Sequence, residues 1–485
     1  MTFSIVLLVF FFAVMIGVGV WGMKKTSSLN DFFLGGRSIG PWISALAYGT
    51  TYFSAVAFVG FAGKFGWVFG LNTMWIVAGN SIIGGFLAWI VLGRRTRLMT
   101  QNLDVMTMPE YLQERYQGRF TKMFSAVIIF IFLLPYSASV FKGLGHLFEA
   151  NFHISYDIAL IIMIGITGIY LVLGGYFAIT LTDFIQGLIM IFGSLAMVSI
   201  FVSQGGGFSE SISRMTAGYN AHIPVDKRPP MLLLAGIVFM TSFGPWGLPQ
   251  MVQKFYAVKN EKVIYRAAIA TFAFSLIIGF AAYFTGSMSH IFMDKMPVVN
   301  GAPAYDRIVP QLLTGYLPSA LMAIILLLVL SASMSTLASL VLVSSSAIAV
   351  DLYKGHVNTQ VTTENSVAMM RFLSALFIII SYFIARYEFA IIVTLMSLSW
   401  GAISGTFMAA YIYGLYWKRT TLAGAACGMV TGLVTSITLF YVLGPSNAPI
   451  ASSVAMIVPF IVIPVVSAFT KPPDKNQVDK AFEGI

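Results

Sequence analysis

Apolar residues in this chain run in unbroken stretches of about 20, the length that carries a helix across a hydrocarbon layer. Thirteen stretches read this way, near 3–22, 41–63, 71–93, 123–148, 157–174, 182–203, 232–253, 265–288, 318–347, 368–386, 389–416, 421–443 and 450–469. Short polar segments separate them and hold most of the charge. The pattern predicts an all-α polytopic membrane protein of about thirteen transmembrane helices. No basic residue precedes the first stretch, and no small-residue cleavage site stands ahead of Lys24-Lys25, so it reads as a retained helix rather than a signal peptide. Inside one linker, Thr107-Met108-Pro109-Glu110 has the spacing of a capping box with proline in the first turn, which predicts a short amphipathic surface helix through Arg115.

Two stretches carry break chemistry at mid-depth. Tyr48-Gly49-Thr50-Thr51-Tyr52-Phe53-Ser54 is a small polar patch in the second, and Phe243-Gly244-Pro245-Trp246-Gly247-Leu248-Pro249 crowds two prolines and two glycines into the seventh. Backbone groups inside a bilayer must be bonded within the helix, so a break is tolerated only where it lines a cavity. Glycine and proline also merely kink membrane helices. Here, however, the second and seventh stretches each begin a run of five. Breaks at equivalent places in two five-helix halves are the pattern of carriers built from inverted repeats, with the site near the midplane.

The ninth stretch contains Ser331-Ala332-Ser333-Met334-Ser335-Thr336-Leu337-Ala338-Ser339. Ser331, Ser335 and Ser339 are four apart and share a helix face, with Thr336 beside them. Neutral hydroxyl and carbonyl oxygens are hard donors that suit an alkali cation. Membrane hydroxyls also bond their own i−4 carbonyls or glue helices together, and both readings stay open here. A proton-driven carrier needs an intramembrane acid or histidine relay. Asp183, near the start of the sixth stretch, is the main candidate, and it also reads as an acid at a helix N-terminus. The scarcity of buried acids favours sodium over protons.

Composition narrows the field further. Only 9% of residues are charged and 58% are hydrophobic, which excludes a water-facing enzyme, a secreted disulfide scaffold and a disordered regulator. The net charge of +10 comes from basic residues in short runs between apolar stretches, so a nucleic-acid partner is excluded. With the N-terminus outside, 20 of the 28 basic residues fall on the inner side and 8 on the outer. That places the C-terminus and the tail 470–485 in the cytoplasm and requires an odd number of spans. The single cysteine, Cys427, reads as a small buried hydrophobe. Five histidines lie far apart along the chain without ligand spacing, so no transition-metal site is expected. Gly17-Val18-Gly19-Val20-Trp21-Gly22 spells GxGxxG without a preceding strand and reads as packing glycine.

Gly414-Leu415, then Arg419, Gly424-Ala425 and Gly428-Met429-Val430-Thr431-Gly432, resembles the C-terminal signature of the sodium:solute symporter family, which includes proline, pantothenate, sialic acid and sugar symporters. Asp31-Phe32-Phe33-Leu34-Gly35-Gly36-Arg37-Ser38 resembles that family's first cytoplasmic loop. Gly174-Gly175 with Thr182-Asp183 and Gln186 is similar to its other signature, with Tyr176 at a position usually Leu, Met or Phe. Met334-Ser335-Thr336-Leu337 and Asp351-Leu352-Tyr353-Lys354 extend the likeness. Read physically, Arg419 anchors a helix end, and the glycines make a flat packing face.

The resemblance implies a LeuT-like core of ten helices in two inverted halves. Residues 1–40 would be an extra helix and loop, 41–203 the first repeat, 204–416 the second with its outer loops, and 417–469 two extra helices. It implies a sodium site made by the carbonyls of Thr50, Phe53 and Ala332 and the hydroxyls of Ser335 and Thr336. A second sodium site would use Asp183, Ser335 and Ser339, although Ala338 stands where another hydroxyl is expected. A solute site would draw on Thr51, Ser54, Tyr136, Trp246 and Gln250. Proline symporters place Trp and Tyr where Thr241 and Pro245 stand here, so a small carboxylate or amino acid is expected more broadly. The partners are then a solute, sodium as coupling ion and the lipid of a plasma (inner) membrane, with no organic cofactor and no enzymatic activity. A proton-coupled carrier of the same fold and a transporter-like sensor without transport are the alternatives; the sensor reading expects a soluble signalling module joined to the transporter domain.

Overall fold

The computed structural model describes residues 2–25, 34–173 and 176–485. All thirteen apolar stretches are helical over most of their length. Among the described residues nine helices are long and apolar enough to cross a membrane, and a tenth if one bent pair counts as a span. In chain order the helices are α1 (Thr2–Lys25), α2 (Pro41–Tyr52), α3 (residues 56–69), α4 (residues 74–102), α5 (Met108–Tyr116), α6 (Arg119–Phe152), α7 (Tyr156–Leu173) and α8 (Tyr176–Gln204). They continue with α9 (Phe208–His222), α10 (Met231–Phe243), α11 (Pro249–Tyr256), α12 (Glu261–Ser287), α13 (Ser319–Ser346), α14 (Thr363–Arg386), α15 (Ile392–Tyr416), α16 (Leu422–Leu443), α17 (Ala448–Phe469) and α18 (Lys475–Ala481). Among the described residues strand is confined to two residue pairs, Val298–Val299 and Ala302–Pro303. Asp31, Phe32 and Phe33 of the first-loop likeness, and Gly174-Gly175, lie outside the described residues.

Both expected breaks are present. α2 ends at Tyr52, Phe53 takes an extended conformation (φ −106°, ψ 127°), and the helix resumes as a π-helical turn from Val56. α10 ends at Phe243, a 3₁₀ turn covers Gly244–Trp246, Leu248 is extended, and α11 starts at Pro249 with a bend of 43°. The second bend has proline at the first position of the new helix, where its missing N–H costs nothing.

α13 and α15 are the most enclosed helices, with nearly every residue buried from Leu321 to Ser346 on α13 and from Ile392 to Leu415 on α15. α1, α14 and α16 line the outside and expose large apolar side chains such as Phe10, Phe372 and Val434, as lipid-facing helices do. α16 and α17 pack through glycine. A Cβ at Gly432 would run into the Gly405 carbonyl of α15, one at Gly428 into Ile463, and one at Gly424 into Ser467. Arg419 donates to the Thr470 carbonyl at 2.8 Å, holding the end of α17.

Two expectations need correction. α5 forms as its capping box predicts, with the Thr107 hydroxyl accepting from the Glu110 amide. Arg115, however, is not at the surface. It is buried and donates to the carbonyls of Gly414 (2.9 Å) and Trp417 (3.1 Å), neutralising the negative end of α15. Cys427 is exposed rather than buried, because it faces away from the glycine seam of α16. His222 and His290, remote in sequence, stack on each other and on Trp67, with their Nδ1 atoms 3.0 Å apart. Among the described residues no group of three or more potential ligands gathers for a metal ion.

Candidate functional site

The first break releases backbone carbonyls. In a continuous helix the Ala55 amide would bond the Thr51 carbonyl. Here it donates to Ser333 Oγ at 3.0 Å instead. The freed Thr51 carbonyl lies 3.1 Å from Thr336 Oγ1, the Thr50 carbonyl 3.4 Å, and the Ala332 carbonyl 3.1 Å from the same oxygen. Ser335 Oγ donates to Thr50 Oγ1 at 2.7 Å, and Thr50 passes its own proton to the Leu46 carbonyl. Thr50, Thr51, Ala332, Ser335 and Thr336 therefore meet as one cluster of neutral oxygens, all buried. Phe53 supplies the extended link beside them. The donor set is uncharged and hard, which fits a desolvated monovalent cation. Thr51, expected at the solute site, contributes its carbonyl to this cluster.

Around the break the remaining solute candidates come from the two breaks, α6 and α11. Ser54 caps α3, its hydroxyl accepting from the Val56 amide at 3.2 Å. Tyr136 on α6 meets Trp400 on α15 edge to face, with centroids 5.9 Å apart. Trp400 also stacks on Tyr52 at 6.4 Å and stands against Gly244, where a Cβ would collide with its ring. Trp246 donates from its indole to the Ile83 carbonyl at 3.1 Å, and Gln250 is buried with its side-chain oxygen lacking a hydrogen-bond partner. The two breaks are tied directly: Tyr52 donates to the Thr241 carbonyl at 2.6 Å. Ser404 donates to the Gly244 carbonyl at 2.7 Å. Trp400 and Ser404 were not foreseen. An apolar helix offers no local mark that one of its aromatics faces a break.

The set expected for a second sodium is differently arranged. Asp183 on α8 and Ser339 on α13 are buried, and Lys254 of α11 reaches between them. Its Nζ lies 3.2 Å from Asp183 Oδ2 and 3.2 Å from Ser339 Oγ. In the sequence Lys254 stands out only as one of the chain's 28 basic residues. Its position one turn from the end of a helix that starts inside the membrane was the available signal.

Two ion-pair clusters sit toward the two ends of α6. At one end Lys122 lies 3.7 Å from both Glu110 and Asp351, and Thr107 donates to Asp351 at 2.7 Å. Toward the other, Lys142 pairs with Asp306 (3.0 Å) and Glu388 (3.3 Å), and His146 Nε2 meets Glu388 at 3.0 Å. Each ties α6 to residues that follow position 300 in the chain.

A family model described as the sodium:solute symporter family matches residues 32–432. The osmoregulated proline transporter OpuE of Bacillus subtilis is 29% identical over 440 residues, covering 88% of this chain and 86% of that protein. A sodium/proline symporter of Staphylococcus aureus is 30% identical over 451 residues, covering 89% and 85%. Among solved structures, a substrate-bound, outward-open Na⁺-coupled sialic acid symporter superposes with a TM-score of 0.78 at 17% identity, covering 97% of this chain and 98% of that one. Mhp1, a nucleobase-cation-symport-1 family transporter in a closed conformation, reaches 0.55 at 12% identity, covering 93% and 97%.

Proposed function

The chain belongs to the sodium:solute symporter family, and from that premise we propose where its ion and its solute are held. It is a sodium-coupled symporter of a small organic solute with the helical inverted-repeat core of such carriers, and it is not an enzyme. The coupling sodium binds the carbonyls of Thr50, Phe53 and Ala332 and the hydroxyls of Ser335 and Thr336. The single observation that carries this reading is the Thr336 hydroxyl, which gathers the Thr50 carbonyl beside the break at 3.4 Å and the Ala332 carbonyl of its own helix at 3.1 Å. An ion there ties α2 to α13.

The solute sits between the two breaks against Tyr136, Trp246, Trp400, Ser54 and Gln250. Half-helices beginning after Ser54 and at Pro249 turn their positive ends toward that space, which suits a carboxylate. The likeness to proline transporters supports an amino acid, and proline is the first solute to try. Thr241 and Pro245 in place of the Trp and Tyr of proline symporters make the site more open, which favours a broader carboxylate or amino-acid class.

Sodium stabilises the solute-competent form, and loading of both permits passage from one barrier to the other. The cluster at Lys142 closes the outer side and that at Lys122 the inner, with the N-terminus outside, the C-terminus cytoplasmic and thirteen crossings of the cell membrane. One charge crossing 100 mV contributes about 2.3 kcal/mol, roughly a 50-fold accumulation. The residue ranges 41–203 and 204–416 are the two repeats.

The test is uptake into proteoliposomes, after a thermal-shift screen of amino acids, carboxylates and sugars with and without sodium. Uptake should follow an inward sodium gradient and persist with a protonophore at clamped potential. Uptake that follows the proton gradient and is abolished in Asp183→Asn would overturn sodium coupling in favour of the proton-driven alternative.

A further inference from the structure

Lys254 stands on a half-helix that begins inside the membrane, and its ammonium is all but enclosed, 2% exposed. The C-terminal end of that half-helix is fixed. Arg37 donates to the Tyr256 carbonyl at 3.2 Å, and Arg97 to the carbonyls of Val258 and Lys259 at 2.9 and 2.8 Å. The lysine therefore projects from a held base rather than from a loose turn. Its contacts are those an alkali ion would take: the Asp183 carboxylate and the Ser339 hydroxyl, each at 3.2 Å.

The protons order themselves from there. Thr51 donates to the Ala47 carbonyl at 2.7 Å, so its oxygen accepts from Ser339, 3.2 Å away. Ser339 has then spent its proton and must accept from Lys254. A one-way chain runs from the ammonium through Ser339 and Thr51 to the backbone of α2. It lies beside a parallel chain from Ser335 through Thr50 to Leu46. Each chain thus links α13 to the first broken helix, one headed by an ammonium and the other set beside the proposed sodium site.

We propose that the Lys254 ammonium is a covalently attached cation that fills the place of a second sodium, so that this carrier moves one sodium per solute. The inference rests on the sodium-symport reading above and deepens it. Asp183 and Lys254 cancel in charge. A sodium ion added beside them would face an ammonium in a poorly screened interior, where like charges repel strongly. Ala338 removes a hydroxyl that a free ion would want, and an ammonium already held by carboxylate and serine does not need it. A buried carboxylate left without its cation is costly, so removal of the lysine side chain invites a replacement ion.

The experiment is the reversal potential of solute-coupled flux in proteoliposomes, with sodium titrations of uptake. Wild-type protein should move one sodium per solute with a Hill coefficient for sodium of about 1. Lys254→Gln should move two, with the coefficient rising toward about 2. A wild-type ratio of two overturns the inference and leaves sodium symport standing. So does a Lys254→Gln protein that still moves one. Uptake independent of sodium overturns the symport reading and this inference with it. If Lys254→Gln does not fold, Ala338→Ser decides: with the lysine in place the added hydroxyl must leave the ratio at one, and a ratio of two overturns the assignment.

Discussion

The Ser335 hydroxyl lies 2.7 Å from the Thr50 hydroxyl, across 285 residues of sequence. Each is on a different half of the core, so any ion held between their helices reports on how the halves are docked. Binding at this contact, as proposed, would therefore be coupled to shape, which a symporter requires.

Removing the hydroxyls should weaken the ion without dismantling the helix. Thr336→Val keeps shape and loses the oxygen that faces three carbonyls, and Ser335→Ala loses the one on Thr50. A lost buried partner costs about 1–3 kcal/mol, so the sodium concentration for half-maximal uptake should rise about tenfold or more in each. An unchanged sodium curve in both variants would take these residues out of the ion site.

Trp400 touches Tyr52, Tyr136 and Gly244 and so walls the space between the breaks. Trp400→Phe should reduce solute affinity about tenfold through lost aromatic contact. The sodium-induced rise in Tm measured without solute should stay as in wild type. Loss of both responses together would mean that Trp400 supports the fold and not the solute.

The glycine seam makes a stability prediction with an internal control. Gly432→Ala drives a methyl into the Gly405 carbonyl, which is backbone of a buried helix and cannot yield. It should lower stability by about 1–3 kcal/mol, read as a fall in Tm. Gly165→Ala, on the exposed face of α7 with open space around its Cβ, should match or exceed wild type.

Glu388 lies on the connection between α14 and α15. Burial pushes its carboxyl up, but the hydrogen bond and charge of His146 and the charge of Lys142 outweigh it and bring it to about 2. A value below the ordinary 4.5 means that its stabilisation is present above that pH and is lost as pH falls through about 2. Glu388→Gln should therefore lower Tm at neutral pH, and the gap to wild type should close as both are acidified from about 4.5 toward about 2. A gap that stays constant through that window would show that the carboxylate charge is not what Lys142 and His146 hold.

Membrane helices, their interruptions and the capping box of α5 were readable along the chain because each depends on neighbours within a turn or two. Twenty apolar residues must form a helix in lipid, and Gly-Pro-Trp-Gly-Leu-Pro cannot continue one. The hydroxyls of Ser335 and Thr336 were visible for the same reason, as a periodicity on one helix. Which carbonyls they meet, that Arg115 turns inward onto α15, that Trp400 rather than another buried aromatic faces both breaks, and that Lys254 reaches Asp183 were all settled by packing. These contacts join residues 71 to 348 positions apart. They depend on how each helix is rotated about its axis and how far it slides along its neighbour, quantities that no stretch of apolar sequence encodes locally.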